Sequence, residues 1–186
     1  EMWIVLAAEE GAHIGVGLNR AASHAELEAA ALDGSIEQLI DWRPVKAGDV
    51  FYNPAGNIHA LGPGLMVLEI QQALDLTYRL YDYGRPRALH LEDGLAVSST
   101  RPIDARYAGH FTPGTSRMLV DGPLFRVSWC CGPLDDVAGG PTQILPIDGA
   151  VIVAGERVEP GECALIPEGI VPDIAPDVNA VLFWPL

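Results

Sequence analysis

Short apolar runs separated by turn residues occupy most of this chain, and this pattern predicts strands rather than long helices. The first two runs, residues 2–6 and 13–16, flank a Glu-Glu-Gly turn and predict a hairpin. Further strands are predicted at residues 66–72 and 77–81, again between Gly- and Pro-rich turns. Regularly spaced short strands of this kind indicate a β-sandwich or a β-barrel.

The segment over residues 22–43 has a different pattern and predicts a small helical insertion between strands. Ser23 with Glu26 three residues later has the spacing of a capping box, and Ala and Leu dominate the following residues. Gly34 is expected to end this helix. A second, shorter helix is predicted after it, with Ile36, Leu39 and Ile40 at helical spacing, and Pro44 is expected to close it.

The second half of the chain lacks helical periodicity and predicts a second β domain over residues 117–186. Its predicted strands lie at residues 118–120, 125–131, 150–153, 162–166 and 180–184. Residues 91–116 are rich in turn formers and are predicted to be a linker, which leaves residues 1–90 as the first domain.

An internal repeat supports a chain made of two related halves. Residues 48–59 align without gaps on residues 161–172, and both copies read Gly-acid-x4-Pro-x-Gly. This pattern predicts one strand–turn–strand unit that is used twice. The first copy ends in His59, whereas the second has Pro172 at that position. If His59 binds a ligand, the second copy is structural.

Charge and cysteine content narrow the functional classes. The net charge of −14 argues against a nucleic-acid-binding surface, which needs clustered cations. Three arginines nevertheless lie within nine residues, Arg79, Arg85 and Arg87; such a cluster can hold a small anion or be a solvated turn. No apolar run is long enough to span a membrane, and no signal peptide opens the chain. The three cysteines lack metal or redox spacing, which predicts buried thiols in a reducing cytoplasm.

The stretch over residues 48–91 carries the most specific motifs. Gly-x5-Pro-x-Gly-x2-His resembles the second motif of the cupins, which are small β-barrels that bind a metal. PAGNIHALGPG, LEIQQ, TYRLYDYGR and R-x-LHL, in that order, resemble the signature run of the type I mannose-6-phosphate isomerases. The resemblance extends over essentially the whole chain. It implies a mainly β bicupin, with two jelly-roll-like barrels and the helical insertion in the first.

The resemblance also implies a metal centre. Members of this family carry one zinc, bound by a Gln, a Glu and two His. Glu1, which precedes Met2-Trp3, and His59 match the Glu and one of the His. The Gln-x-His pair expected about twenty residues upstream of Glu1 is not in this chain. Because the chain opens on Glu rather than Met, we interpret it as a fragment whose zinc site is incomplete.

An aldose–ketose isomerase moves a proton between adjacent carbons while it stabilises the cis-enediol. Arg79 matches the family's catalytic arginine, and a guanidinium stabilises negative charge but is an unsuitable base. Glu69, Asp75 and a zinc-bound water are open alternatives for the base. Strand alternation places Gln71 on the same face as Glu69, as a substrate contact.

Arg85 and Arg87 are candidates for the sugar phosphate, because a guanidinium can bond two phosphate oxygens. The predicted function is therefore a zinc-dependent, cytoplasmic isomerase that interconverts mannose 6-phosphate and fructose 6-phosphate. Two alternatives remain: an isomerase of another sugar phosphate, and a sugar-phosphate-binding or regulatory cupin without catalysis. The oligomeric state is not predicted.

Overall fold

The computed structural model describes residues 1–74, 76–137 and 142–186 of the chain. It contains two compact units, Glu1–His110 and Phe111–Leu186. The predicted mainly β architecture is confirmed: the described strands form four sheets, none of which closes into a barrel, with few helices. No helix among these residues is long and apolar enough to cross a membrane.

The first unit is built from two antiparallel sheets and two α-helices. Its described strands are β1 Met2–Ala8, β2 His13–Leu18, β3 Ile40–Pro44, β4 Asp49–Tyr52, β5 His59–Leu61, β6 Leu65–Ile70 and β7 Ala108–His110. The helices are α1 His24–Asp33 and α2 Leu91–Val97, and 3-10 turns occupy Ser35–Gln38 and Ala105–Tyr107. The strand orders are β6-β1-β4-β7 and β3-β2-β5.

The first two strands do not form the predicted hairpin. β1 pairs with β4 and β6, whereas β2 pairs with β3 and β5, so the turn between them connects two sheets. The reason is burial, because one face of each strand contributes to a shared core. This core contains Trp3, Val5, Ile14, Val16 and Phe51. Packing of the two faces against each other replaces pairing of the two strand edges.

The helical insertion forms at the predicted place, although its second part is not a helix. Ser23 Oγ accepts a hydrogen bond from the Glu26 N–H at 3.2 Å, and Gly34 ends α1 with φ of 83°. The second predicted helix is a single 3-10 turn, because Ile40 instead begins β3 and pairs with Leu18. Strand pairing therefore overrides the helical spacing of the apolar residues.

The segment predicted as a linker, residues 91–116, contains ordered elements of the first unit. Helix α2 lies in it, and β7 extends the sheet by pairing with β4. The boundary between the units follows His110, which differs from the predicted division into 1–90, 91–116 and 117–186. Residues 77–81 form no strand, although their place between turns predicts one.

The second unit contains one large sheet and one two-stranded sheet. Its described strands are β8 Arg117–Asp121, β9 Phe125–Cys131, β10 Thr142–Pro146, β11 Val151–Val153, β12 Glu156–Val158, β13 Ala164–Ile166 and β14 Asn179–Pro185. The large sheet has the order β13-β10-β14-β9-β8, and β11 pairs with β12. Strands β10 and β12 have no counterpart among the predicted strands.

The sequence repeat corresponds to the same local structure in both units. Each copy begins with an acidic residue, Asp49 in the first and Glu162 in the second. The side chain of each accepts a hydrogen bond at 2.9 Å from the backbone N–H of the residue three positions earlier. In the turn that follows, the N–H three residues after Pro54 or Pro167 donates to the proline carbonyl at 3.1 Å. The strand between the acidic residue and the turn is β4 in the first unit and β13 in the second. β4 pairs antiparallel with β1, and β13 pairs antiparallel with β10.

The repeat also locates the helical insertion. β11 pairs with β12 and forms a bridge to Asp173, just as β2 pairs with β3 and β5. β11 and β12 are joined by a two-residue turn with positive φ at both Ala154 and Gly155, the geometry of a tight hairpin. The insertion with α1 lies in the place of this turn.

Candidate active site

The structure brings the two predicted metal ligands, Glu1 and His59, into contact. The carbonyl of Glu1 accepts a hydrogen bond at 2.8 Å from the N–H of Asn53, which follows β4. His59 is the first residue of β5 and pairs with Val16 of β2. The pairing of these strands leaves His59 Nε2 3.0 Å from Glu1 Oε1.

The donor atoms of this pair have the orientation that a metal ion needs. His59 Nδ1 lies 2.9 Å from the Asn57 carbonyl, which can only accept, so Nδ1 is a donor and Nε2 is the ring nitrogen that a metal could use. Apart from this 3.0 Å contact with His59 Nε2, the buried Glu1 Oε1 has no hydrogen-bond partner within the described part of the chain. Zn–N and Zn–O bonds are about 2 Å long, so two donors 3.0 Å apart fit one zinc.

These two residues would supply only part of the ligands that a metal ion needs. Among residues 1–74, 76–137 and 142–186, no group of three or more His, Cys, Asp or Glu side chains could hold a metal ion. A catalytic zinc usually has three protein ligands and one open position.

Two buried asparagines, which the sequence analysis did not identify, hold the turn before His59. Asn57 Nδ2 donates to Asn53 Oδ1 at 2.9 Å, and the exposed fractions of the two residues are 9% and 2%. The carbonyl of Gly56 accepts a hydrogen bond at 2.7 Å from the Ser99 N–H, next to α2. Both asparagines lie within the Asn-Pro-Ala-Gly-Asn sequence, so their place in the motif was the available signal.

Glu69 joins this pair through Trp3, another residue that the sequence analysis missed. Trp3 and Glu69 are opposite each other on β1 and β6, and the indole N–H donates to Glu69 Oε2 at 3.1 Å. The Trp3 ring also meets the His59 ring edge-on, with 5.1 Å between centroids. Gln71 is exposed and follows the end of β6, whereas the predicted Asp75 lies outside the described residues.

Arg79 is held by residues 88–90 in the loop between β6 and α2. Its backbone N–H donates to His90 Nδ1 at 3.0 Å, and its carbonyl accepts from the His90 N–H at 2.8 Å. Its side-chain Nη1 donates to the carbonyl of Ala88 at 3.2 Å. The guanidinium retains further N–H groups for a substrate.

Arg85 and Arg87 differ in how tightly they are held. Arg87 makes a two-pronged contact with the buried Asp82, at 2.5 Å for each N–O pair. These hydrogen bonds, with the positive charges of Arg85 and Arg79, lower the pKa of Asp82. Arg85 Nη1 lies 3.6 Å from Asp82, and its side chain remains 63% exposed. Arg85 is therefore the freer cation.

The predicted site residues thus fall into two groups of contacts within the first unit. Glu1, His59 and Glu69 meet around Trp3, and Arg79, Arg85 and Arg87 lie around Asp82. In the described residues, no hydrogen bond or ion pair joins the two groups. Their neighbours Ile58 and Leu80 nevertheless pack against one hydrophobic cluster, which includes residues of α1 and α2.

The second unit has no equivalent of the first group. The strand registers place Thr142 where the first unit has Glu1, and Leu182 where it has Glu69. The sequence repeat places Pro172 at the position of His59. None of these three side chains is a carboxylate or an imidazole, so the candidate site belongs to the first unit alone.

Comparison with known proteins finds relatives that share one name. No protein-family model matches the chain. The chain is 42% identical over 135 residues to the mannose-6-phosphate isomerase of Streptococcus mutans, covering 68% of this chain and 42% of that protein. It is 38% identical over 116 residues to ManA, a mannose-6-phosphate isomerase of Bacillus subtilis, covering 59% of this chain and 36% of that one.

Structural comparison agrees with the sequence matches. The crystal structure of the Bacillus subtilis mannose 6-phosphate isomerase superposes with a TM-score of 0.80 at 26% identity, covering 98% of this chain and 63% of that structure. The chain spans less than half the length of the two curated relatives. By sequence and by fold, this chain is similar to the mannose-6-phosphate isomerases over part of their length.

Proposed function

We propose that the protein containing this chain interconverts mannose 6-phosphate and fructose 6-phosphate through a cis-enediol. The observation that carries the proposal is the contact between Glu1 and His59. A buried oxygen of the Glu1 carboxylate lies 3.0 Å from an imidazole nitrogen and has no other hydrogen-bond partner among the described residues. The similarity to proteins named mannose-6-phosphate isomerase supports the same reaction. In this proposal, the two units are two cupin-type β domains, of which only the first is catalytic.

Zinc is the metal that this donor pair would hold, with Glu1 and His59 as two of its ligands. A carboxylate and a neutral imidazole are common zinc ligands, and the hydrogen bond to the Asn57 carbonyl orients the imidazole as such a ligand requires. When bound, zinc would act as a Lewis acid that polarises the carbonyl group of the sugar.

Glu69 is proposed to move the proton, and Arg79 to stabilise the enediol. The Arg79 guanidinium stays protonated and stabilises the negative charge that develops on the enediol oxygens. The carboxylate of Glu69 is oriented by the Trp3 indole through Oε2, which leaves Oε1 for a substrate proton. Asp75 remains the alternative base.

Arg85 is proposed to bind the phosphate group of the substrate, and Gln71 a sugar hydroxyl. Arg85 is exposed and only loosely paired with Asp82, so its guanidinium can turn towards an anion. Arg87 is committed to Asp82 by two short hydrogen bonds, and it would contribute mainly positive charge.

A coupled assay with mannose 6-phosphate tests the proposal. The intact protein should convert the substrate, lose activity with a chelator and regain it with zinc. Arg79→Ala should lower kcat by ~10²–10³, the usual cost of losing a donor to a developing oxyanion. Arg101→Ala is the matched control, because Arg101 is an exposed arginine in another loop of the same unit, and it should leave kcat unchanged.

Full activity in Arg79→Ala would refute the role assigned to this arginine. Absence of turnover by the zinc-loaded wild type would refute the isomerase assignment. Binding of mannose 6-phosphate without turnover would instead identify a sugar-phosphate-binding protein, and turnover of a different sugar phosphate alone would identify an isomerase of another specificity.

A further inference from the structure

His90, which is not among the proposed catalytic residues, bonds to the backbone of Arg79 in the loop between β6 and α2. Three hydrogen bonds join Arg79 to residues 88–90, and two of them involve His90. One runs from the His90 N–H to the Arg79 carbonyl, and the other from the Arg79 N–H to His90 Nδ1. Both polar groups of the Arg79 backbone therefore bond to a single residue.

His90 is itself anchored to the core of the first unit. Its carbonyl accepts a hydrogen bond at 2.8 Å from the Gly94 N–H in the first turn of α2. A Cβ at Gly94 would lie 2.7 Å from Leu80 Cδ2, so the helix packs closely against the loop. The next helix residue, Leu95, is 8% exposed and belongs to the hydrophobic cluster around α1. Arg79 is thus connected through His90 to a helix that buries one face, at Gly94 and Leu95.

The chemistry of this contact defines the state of the imidazole. A backbone N–H can only donate, so Nδ1 must be the acceptor and the ring must carry its proton on Nε2. The ring also meets Tyr78 edge-on at 6.2 Å, which limits its rotation. A backbone–imidazole bond of this kind fixes the position of Arg79 but makes no contact with a substrate.

We propose that His90 is a positioning residue that holds Arg79 in its catalytic place through the neutral Nδ1 acceptor. This inference rests on the proposed function, in which Arg79 stabilises the enediol. Displacement of a catalytic group by about 1 Å can cost ~100-fold in rate. Loss of the Nδ1 acceptor should therefore lower kcat much more than it changes KM, because the substrate-binding contacts remain.

Two substitutions at His90 test whether the hydrogen-bond acceptor at the position of Nδ1, rather than the rest of the imidazole ring, holds Arg79. Asn places its side-chain oxygen two bonds from Cβ, as Nδ1 is in histidine, whereas Gln places its oxygen one bond farther. His90→Asn should retain most of the wild-type kcat, and His90→Gln should lose tenfold or more, approaching ~100-fold. His24→Gln is the control, since His24 is an exposed histidine with only a 3.4 Å contact to the Ser98 carbonyl.

Nuclear magnetic resonance tests the contact without relying on catalysis. The ¹⁵N shifts of His90 should show an unprotonated Nδ1 and a protonated Nε2, and the Arg79 amide should exchange slowly with solvent. That exchange should accelerate in His90→Gln and stay slow in His90→Asn. If the wild type does not isomerise mannose 6-phosphate, the proposed function fails, and these two measurements still decide whether His90 positions Arg79.

Wild-type kcat in His90→Gln, or equal losses in the Asn and Gln variants, would overturn the inference. A fast-exchanging Arg79 amide in the wild type would overturn it as well. Thermal melts of both variants distinguish these results from misfolding, and the exposed position of His90 predicts melting temperatures close to that of the wild type.

Discussion

Gly56→Ala should destabilise the first unit far more than the equivalent change, Gly169→Ala, destabilises the second. Both glycines follow the proline of the repeated turn and have positive φ, 82° and 76°. Alanine at such a φ costs about 1–2 kcal/mol in either place. Only at Gly56 does the added Cβ meet backbone, because it would lie 2.4 Å from the Val97 carbonyl oxygen. At Gly169 it meets nothing within 4 Å.

The magnitude follows from what must move. Either the turn or α2 has to shift to relieve the clash, at an overpacking cost of about 1–3 kcal/mol. The expected loss is therefore about 2–5 kcal/mol for Gly56→Ala, against about 1–2 kcal/mol for Gly169→Ala. Because His59 follows this turn and is a proposed zinc ligand, Gly56→Ala should also weaken the proposed zinc binding, and Gly169→Ala should not.

Peptide-resolved hydrogen exchange measures the two units separately and needs no assumption that they unfold together. Opening free energies should fall in peptides from the first unit for Gly56→Ala and in peptides from the second unit for Gly169→Ala. Equal losses for the two variants would refute the steric argument. Unchanged zinc retention in a destabilised Gly56→Ala protein would show that the turn does not position His59.

Asp82→Asn removes a carboxylate whose pKa the bonds from Arg87 lower. A lowered folded-state pKa stabilises the fold above the ordinary aspartate value of about 3.9, and this stability disappears as the pH falls through the folded-state value. The variant should melt earlier than the wild type at pH 7, with a smaller difference below about pH 4, and parallel curves across pH would contradict the assignment. Trp3→Phe keeps an aromatic ring but removes the donor to the carboxylate on β6, so kcat should fall about fivefold, equivalent to about 1 kcal/mol. An unchanged kcat would separate this bond from catalysis. Burial raises the pKa of Cys130 to about 11 and also raises the pKa of Cys163, but Cys163 is exposed whereas Cys130 is buried. Iodoacetamide at pH 8 should therefore label Cys163 before Cys130, as peptide mass spectrometry would show. Equal labelling rates would contradict the burial of Cys130.

Local signals in the sequence predicted the elements whose ends depend on nearby residues. Helix α1 begins after Ser23 and ends at Gly34, as their capping preferences indicate. The repeated turn also formed in both units, because Gly and Pro specify its backbone. The predictions of a first hairpin and of a second helix were wrong for the same reason. The pattern of apolar residues shows that β2 and Ile40 are buried, but it does not show which strand each of them pairs with.

The candidate site shows the same division. The spacing of the motif was enough to identify His59 as a candidate site residue. The structure places His59 against Glu1. Trp3 could not, because its bond to Glu69 joins residues 66 positions apart and depends on the register of β1 with β6. The difference between Arg85 and Arg87 was also absent from the pattern of charges. Asp82 holds Arg87 more tightly than Arg85, and it lies only five residues before Arg87. An acidic residue within the cluster of arginines could therefore have indicated that one arginine is paired.

The central claim is that this chain forms part of the active site of an enzyme that isomerises mannose 6-phosphate through an enediol. Proton NMR of mannose 6-phosphate in D2O with the zinc-loaded intact protein tests it most directly. The account predicts that fructose 6-phosphate forms and that the C2 proton signal of the aldose decays, because the enediol can take up solvent deuterium when it returns to the sugar. Arg79→Ala should slow both changes. An unchanged spectrum, with neither product nor loss of the C2 signal, would contradict the account.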